Sequence, residues 1–153
     1  MPRLDTPRFG PIEYPDDAVI RFPAGLPAFE SDTEFLAIER SDAAPLIFLQ
    51  SVIHPSLCFL TMPVLEIVPG YKLCVCPEDL RLLDLPAGRQ PEIGGDLICL
   101  CILTVPGDGP ATANLLAPVL IRRDIRAGVQ AVQVDSQHSH RHPLFAGEAS
   151  TCS

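Results

Sequence analysis

The sequence predicts an all-β protein with one short helix: a small antiparallel, partly closed β-barrel, with a sandwich as the alternative architecture. Seventeen prolines and ten glycines divide the 153 residues into short apolar runs, a spacing typical of strands joined by turns. Most of these runs are rich in Val, Ile, Phe or Leu, which fit a pleated and half-buried surface. Hydrophobic residues make up 47% of the chain, which indicates a packed core, and closing the sheet would hide its edges.

The apolar runs predict ten strands. The first two would form a hairpin that turns at Gly10-Pro11. The run at 97–105 lacks alternation, which indicates burial on both faces, as in a central strand. Residues 122–128 are interpreted as a hairpin connection with Gly128 at the turn. The predicted strands cover residues 6–9, 12–14, 18–22, 34–39, 46–50, 57–62, 71–75, 97–105, 119–123 and 129–134.

One helix is predicted at residues 77–84. Pro77 suits a first-turn position, and the acidic residues that follow it are favourable near a helix N-terminus. Leu80 and Leu83 would share one side. Pro86 and Gly88 would end the helix.

The chain is predicted to form a single domain over residues 1–145, followed by a flexible C-terminal tail at 146–153, which is small and polar. The longest apolar run, at 97–105, has about half the length that a membrane-spanning helix needs. The first ten residues contain no apolar signal core, so a cytoplasmic location is expected. The net charge of −8 argues against nucleic acid and favours encounter with a basic protein.

Six cysteines and four histidines raise the question of a metal site. Four cysteines form two C-x-C pairs, Cys74/Cys76 and Cys99/Cys101. Extended C-x-C segments do not easily converge on one ion, so buried free thiols are the favoured interpretation. His138, His140 and His142 could share one face of an extended segment. The competing interpretation is an exposed polar segment, and no metal or other cofactor is expected.

Motifs of known catalytic sites are absent. The sequence has no G-x-x-x-x-G-K-[ST], G-x-G-x-x-G or G-x-S-x-G pattern, so the usual markers of nucleotide binding and of esterases are missing. A non-enzymatic protein is therefore expected.

Two loops are unusually apolar. The stretch PAGLPAFES at 23–31 carries Leu26 and Phe29, both expected to be exposed, between prolines and an acidic run. The stretch at 112–118 has Asn114 as its only strongly polar residue, and an asparagine can fix a turn by bonding to nearby backbone. Leu115 and Leu116 either enter the core or belong to a presented surface. Likewise, the first loop either binds a partner or plugs the end of the barrel.

These two loops carry a resemblance to a known family. Residues 21–30 and 112–119 resemble the two signature stretches of the FliW family of flagellar assembly factors. The similarity covers roughly residues 6–145. It includes Phe9-Gly10, the runs at 48–51 and 102–106, and the ending at 141–145.

The resemblance implies a small all-β barrel that acts as a partner switch. Members bind flagellin, as a chaperone and a sensor of its cytoplasmic level. They also bind the translational regulator CsrA, away from its RNA-contacting surface, and keep it from repressing flagellin messenger RNA. We expect a monomer when free, with no direct nucleic-acid or membrane partner. The candidate partner-binding residues are Pro23, Gly25, Leu26, Phe29, Glu30, Asn114, Leu115, Ala117 and Pro118.

Two positions depart from the family pattern. The family commonly has glycine where this chain has Ala28. If that position has a positive φ, alanine costs about 1–2 kcal/mol or shifts the loop. The family often has Asp at the position of His54, before Pro55.

Two other functions stay open. One is a β-barrel that binds an apolar small molecule. The other is a metal-dependent enzyme or sensor based on the cysteines and histidines.

Overall fold

The computed structural model describes residues 1–133 and 137–144, and most of its elements are strands. Three 3-10 turns lie at Asp16–Ala18, Ser41–Ala43 and Val64–Glu66. The one α-helix in the described residues is α1 (Pro77–Leu82). The strands are β1 (Arg3–Thr6), β2 (Gly10–Glu13), β3 (Val19–Arg21), β4 (Glu34–Glu39), β5 (Ile47–Ser51), β6 (Cys58–Pro63), β7 (Ile98–Thr104), β8 (Thr112–Ala113), β9 (Val119–Arg122), β10 (Ala127–Gln130) and β11 (His142–Pro143).

Seven strands close into a barrel. The order is β7-β6-β5-β4-β3-β10-β9, and β9 pairs back onto β7. Six of the seven contacts are antiparallel, and the β3–β10 contact is parallel through the single register pair Ala127↔Arg21. Strands β8 and β11 extend the sheet beyond β7. The predicted all-β barrel with one short helix is confirmed.

The alternation of strand side chains produces two cores. An inner core fills the ring with side chains from around the barrel, including Phe22, Phe35, Leu49, Leu100 and Ile121. An outer core lies between one outside face of the barrel and the layer formed by residues 64–75, α1 and residues 113–115. Because Leu100 faces the inner core while its neighbours Cys99 and Cys101 face the outer one, the centre of β7 is buried on both sides. The prediction of a central strand at 97–105 is therefore confirmed for this segment.

The hairpin of β1 and β2 is a separate two-stranded sheet. Phe9, in its turn, packs edge-on against Phe48 of β5, with ring centroids 5.3 Å apart. The predicted turn at Gly10-Pro11 is wrong. The turn comprises residues 7–9 because Thr6 Oγ1 accepts a hydrogen bond from Phe9 N–H at 2.9 Å and donates one to Gly10 C=O at 3.0 Å. Gly10 thus begins β2 instead of ending a loop.

The predicted strand at 71–75 is not a strand in the structure. Its apolar alternation is real, since Tyr71, Leu73 and Val75 are buried. Side chains, however, take the place of a neighbouring strand. Gln133 Oε1 accepts from Cys74 N–H at 2.7 Å, and Gln90 Oε1 accepts from Val75 N–H at 2.6 Å.

The remaining differences concern boundaries and short pairings. Gly128 lies inside β10, not at a turn. A Cβ there would lie 2.5 Å from the ring of Phe22, so glycine is required by close packing. Neither β8 nor β11 was predicted, because two-residue strands leave no periodicity. The predicted strand at 129–134 ends with β10 at Gln130, and residue 134 and the predicted tail lie outside the described residues.

In the described part of the chain, no helix is both long and apolar enough to cross a membrane.

Candidate functional site

The first apolar loop folds into two consecutive turns after β3. Gly25 N–H donates to Phe22 C=O at 2.8 Å and closes the first turn. Phe29 N–H donates to Leu26 C=O at 2.7 Å and closes the second. With proline at its second position and Ala28 at φ 71° at its third, the second turn is type II. Ala28 therefore has the positive φ that the glycine of the family pattern would suit.

The loop folds back closely on itself. Gly25 has a φ of 65°, and a Cβ there would lie 2.5 Å from the backbone oxygen of Glu30. Only glycine allows this approach without a shift of the backbone. Glu30 Oε2 in turn accepts from Ala28 N–H at 2.9 Å, which ties the acidic side chain to the second turn.

The two apolar side chains of the loop point to different places. Leu26 is 1% exposed and belongs to the inner core, so the expectation that it is exposed is wrong. Phe29 is 38% exposed and rests edge-on against Phe59 of β6, with centroids 5.4 Å apart. Pro23 and Glu30 are exposed. The loop therefore plugs the barrel with one residue and presents an aromatic ring with another.

A surface groove of about 650 Å³ lies beside Phe29. One side is the loop just described, and the other is the connection between β5 and β6. None of the described residues that line it is a lysine or an arginine. The lining residues are Ala28, Phe29, Glu30, Ser31, Asp32, His54, Ser56 and Leu57.

A buried acid joins the two sides of the groove. Asp32 is 3% exposed, and its Oδ1 accepts from Ser51 Oγ and lies 2.7 Å from His54 Nδ1. Because a carboxylate only accepts hydrogen bonds, Nδ1 of His54 carries the hydrogen of this contact, and Nε2 lies on the opposite edge of the ring. Ser51 Oγ also accepts from the backbone N–H of Ile53 and His54, at 3.2 and 2.9 Å.

The same three residues do not form a hydrolytic triad. In such a triad the serine hydroxyl bonds to the imidazole nitrogen that faces away from the acid. Here the hydroxyl of Ser51 bonds to the acid itself, so the arrangement fastens two loops together. Sequence reasoning missed Asp32 and Ser51, because neither lies in a pattern that predicts burial. His54 was noted only as a departure from the family pattern.

The second apolar loop is structural over most of its length. Asn114 Oδ1 accepts from Leu116 N–H at 3.2 Å and Ala117 N–H at 3.0 Å, which fixes a turn as predicted. Leu115 is 1% exposed and lies in the outer core, where its carbonyl accepts from the hydroxyl of Tyr71. Leu116 is only partly buried.

The structure does not bring the nine candidate residues onto one surface. Leu26 belongs to the inner core and Leu115 to the outer core. Partner binding by the nine remains a prediction, and the exposed members are the ones that a partner can reach. Three of the nine are exposed: Pro23, Phe29 and Glu30. Asn114 is half-buried, and the buried members are Gly25, Leu26, Leu115, Ala117 and Pro118.

The cysteines and histidines that the structure describes do not gather at one place. Cys99 and Cys101 are buried in the outer core as free thiols, and burial raises the pKa of both, that of Cys101 to about 11. Cys74 is exposed, so the burial predicted for it is wrong. His138 stacks on Tyr71 with ring centroids 4.4 Å apart. Within residues 1–133 and 137–144, no three His, Cys, Asp or Glu side chains are grouped so that they could hold a metal ion.

Comparison with known proteins gives one consistent result. The FliW protein family matches residues 3–144. The flagellar assembly factor FliW of Syntrophomonas wolfei is 36% identical over 137 residues, which is 89% of this chain and 84% of that one. The FliW of Heliobacterium modesticaldum is 34% identical over 150 residues, 97% and 94% of the two chains. A crystal structure of the flagellar assembly factor FliW superposes with a TM-score of 0.82 at 28% identity, covering 96% of this chain and 99% of that one.

Proposed function

The chain belongs to the FliW family of flagellar assembly factors, and we propose that it works as a partner switch between flagellin and the translational regulator CsrA. When flagellin is scarce, the protein binds CsrA and prevents repression of flagellin messenger RNA. When flagellin accumulates, it occupies the protein, CsrA is released, and flagellin translation falls. The switch needs no catalysis, and it acts in the cytoplasm, where both partners are made.

One observation carries the proposal beyond family membership: the loop typical of the family presents Phe29 on the surface. Partly exposed aromatic rings beside a groove are the usual anchors of protein–protein contacts. The surface around Phe29 is acidic, and the whole chain has a net charge of −8. An RNA-binding regulator carries a basic surface, so the charges are complementary. Flagellin termini are amphipathic helices, which bind through apolar anchors.

The barrel interior does not favour the alternative of a bound apolar small molecule. Phe22, Phe35, Leu49 and Leu100 are each at most 1% exposed and pack together inside the ring. Side chains thus occupy the volume that a ligand would need.

The decisive experiment measures binding of the purified protein to flagellin and to CsrA by titration calorimetry. We expect both to bind, and each to reduce binding of the other. Phe29→Ala should weaken binding at least about thirtyfold, the scale of an interface hot spot. Ile125→Ala is the matched control, since Ile125 is 42% exposed in the turn between β9 and β10 and outside the groove. Absence of binding to both partners would overturn the proposal.

A further inference from the structure

The groove beside Phe29 has a chemistry of its own, which specifies the side chain that it receives. Its two acidic residues are Glu30, which is exposed, and Asp32, which is buried. Among the described residues, no lysine or arginine lines it, and His54 lies against Asp32. A cation entering the groove therefore meets the exposed carboxylate of Glu30 with no lysine or arginine beside it.

Three groups are arranged for a cation with a planar head and an apolar stem. Phe29 offers a ring that is 38% exposed, on which a guanidinium can stack. Glu30 has one oxygen engaged by Ala28 N–H and offers a carboxylate to a second donor. His54, whose Nδ1–H is committed to Asp32, has Nε2 on the opposite ring edge, where the neutral imidazole offers an acceptor, and its side chain is more than half exposed.

The fixed geometry of these groups favours recognition. Ala28 N–H holds Glu30, and Phe59 supports Phe29 at 5.4 Å. Asp32 sets the tautomer of His54. Groups that are already positioned lose little side-chain entropy when a ligand binds.

We infer that this groove is an arginine subsite: it binds one arginine side chain of a partner protein, with the guanidinium on Phe29 and between Glu30 and His54. The inference rests on the proposed function and names the chemistry of one contact in it. Lysine fits less well, because its compact ammonium cannot stack flat on an aromatic ring or donate in a fork.

The test uses a small probe and needs neither partner protein. N-acetyl-arginine amide is titrated into the ¹⁵N-labelled full chain, and amide shifts are followed by NMR. The neutral isostere N-acetyl-citrulline amide is the comparison. We expect the arginine amide to shift resonances of the groove residues and the citrulline amide to bind at least about threefold more weakly, the scale of one exposed ion pair.

Two variants sharpen the result. Glu30→Gln keeps an oxygen for Ala28 N–H but removes the charge, and it should abolish the preference for arginine over citrulline. Phe29→Leu keeps an apolar contact but removes the aromatic face, and it should weaken the arginine amide about threefold. Glu13→Gln makes the same charge change on the exposed end of β2, outside the groove, and should leave the titration unchanged.

The outcomes separate this inference from the proposed function. Equal shifts from arginine and citrulline amides, or shifts that map outside the groove, overturn the arginine subsite. The arginine subsite is also overturned if the Glu30→Gln protein binds both flagellin and CsrA as tightly as the wild type. In that case partner binding itself would still stand. Failure of both partner proteins to bind would remove the proposed function even if the groove took the arginine amide.

Discussion

Ala28 is one of three non-glycine residues in the described part of the chain that have a positive φ. Its φ of 71° is a left-handed conformation, which costs a residue with a Cβ about 1–2 kcal/mol. Sequence comparison with the family pattern pointed to this position, and the type II turn gives the physical reason.

We predict that Ala28→Gly raises the free energy of unfolding by about 0.5–1 kcal/mol. The gain is smaller than the strain because glycine gains entropy in the unfolded chain. Urea unfolding of wild type and variant measures it. Ala24→Gly is the matched control. Ala24 is also exposed and lies in the preceding turn, but it does not have a positive φ, so its replacement should destabilise. A less stable Ala28→Gly protein would contradict this account.

The buried thiol of Cys101 makes the free energy of unfolding depend on pH. Burial raises the pKa of its thiol from 9.0 to about 11. Because the folded pKa is the higher one, the unfolded chain loses the thiol proton at a lower pH than the folded protein does. The contribution of this thiol to the free energy of unfolding is therefore fully present below pH 9 and is lost as the pH rises toward 11. We expect unfolding free energy to decline over this window in the wild type and to decline less in Cys101→Ala. Parallel pH profiles of the two proteins would contradict the assignment.

At the scale of elements, periodicity predicted buried faces better than it predicted pairing. The alternation at 71–75 correctly marks Tyr71, Leu73 and Val75 as buried. It could not reveal that glutamine side chains from distant parts of the chain replace the neighbouring strand, because long-range hydrogen bonds leave no local pattern. The same limit explains the missed pairing of β8 with β11.

A substitution of Gln133 tests whether glutamine side chains take the place of a neighbouring strand. The side chain is 5% exposed, and it links two segments by accepting from Cys74 N–H and donating to Ala131 C=O. We predict that Gln133→Met lowers the unfolding free energy by about 1–3 kcal/mol, since backbone groups lose a partner. Amide hydrogen exchange at Cys74 should also accelerate.

The control for this prediction is Gln137→Met. Gln137 is exposed, so the same substitution there should leave the free energy of unfolding within about 0.5 kcal/mol of the wild-type value. If the two variants are equally stable, the glutamine bridge contributes nothing to the fold.

Across the whole molecule, the sequence was sufficient for the architecture but not for the site. The barrel follows from many short apolar runs, each of which is a local signal. The groove depends on Asp32 and His54, 22 positions apart, which meet because β4 pairs with β5 and sets Phe35 opposite Ser51. For Leu26 and Phe29 the sequence showed two apolar residues in one loop. Which of them is buried is decided by the type II turn between them.

The closure of the barrel rests on its weakest seam, where β3 and β10 share the single register pair Ala127↔Arg21. Gly128 lies beside it, with the ring of Phe22 where a Cβ would be. We predict that Gly128→Ala lowers the unfolding free energy by about 1–3 kcal/mol, the usual cost of overpacking, although alanine is the better strand residue. Gly70→Ala, where a Cβ meets nothing within 4 Å, should be near neutral.

Because Phe22 also begins the loop that carries Phe29, the Gly128→Ala protein should lose partner affinity together with stability, whereas Phe29→Ala should lose affinity while remaining folded. Unfolding curves measured beside calorimetric binding distinguish the two variants, and a Gly128→Ala protein as stable as Gly70→Ala would show that the seam does not limit closure.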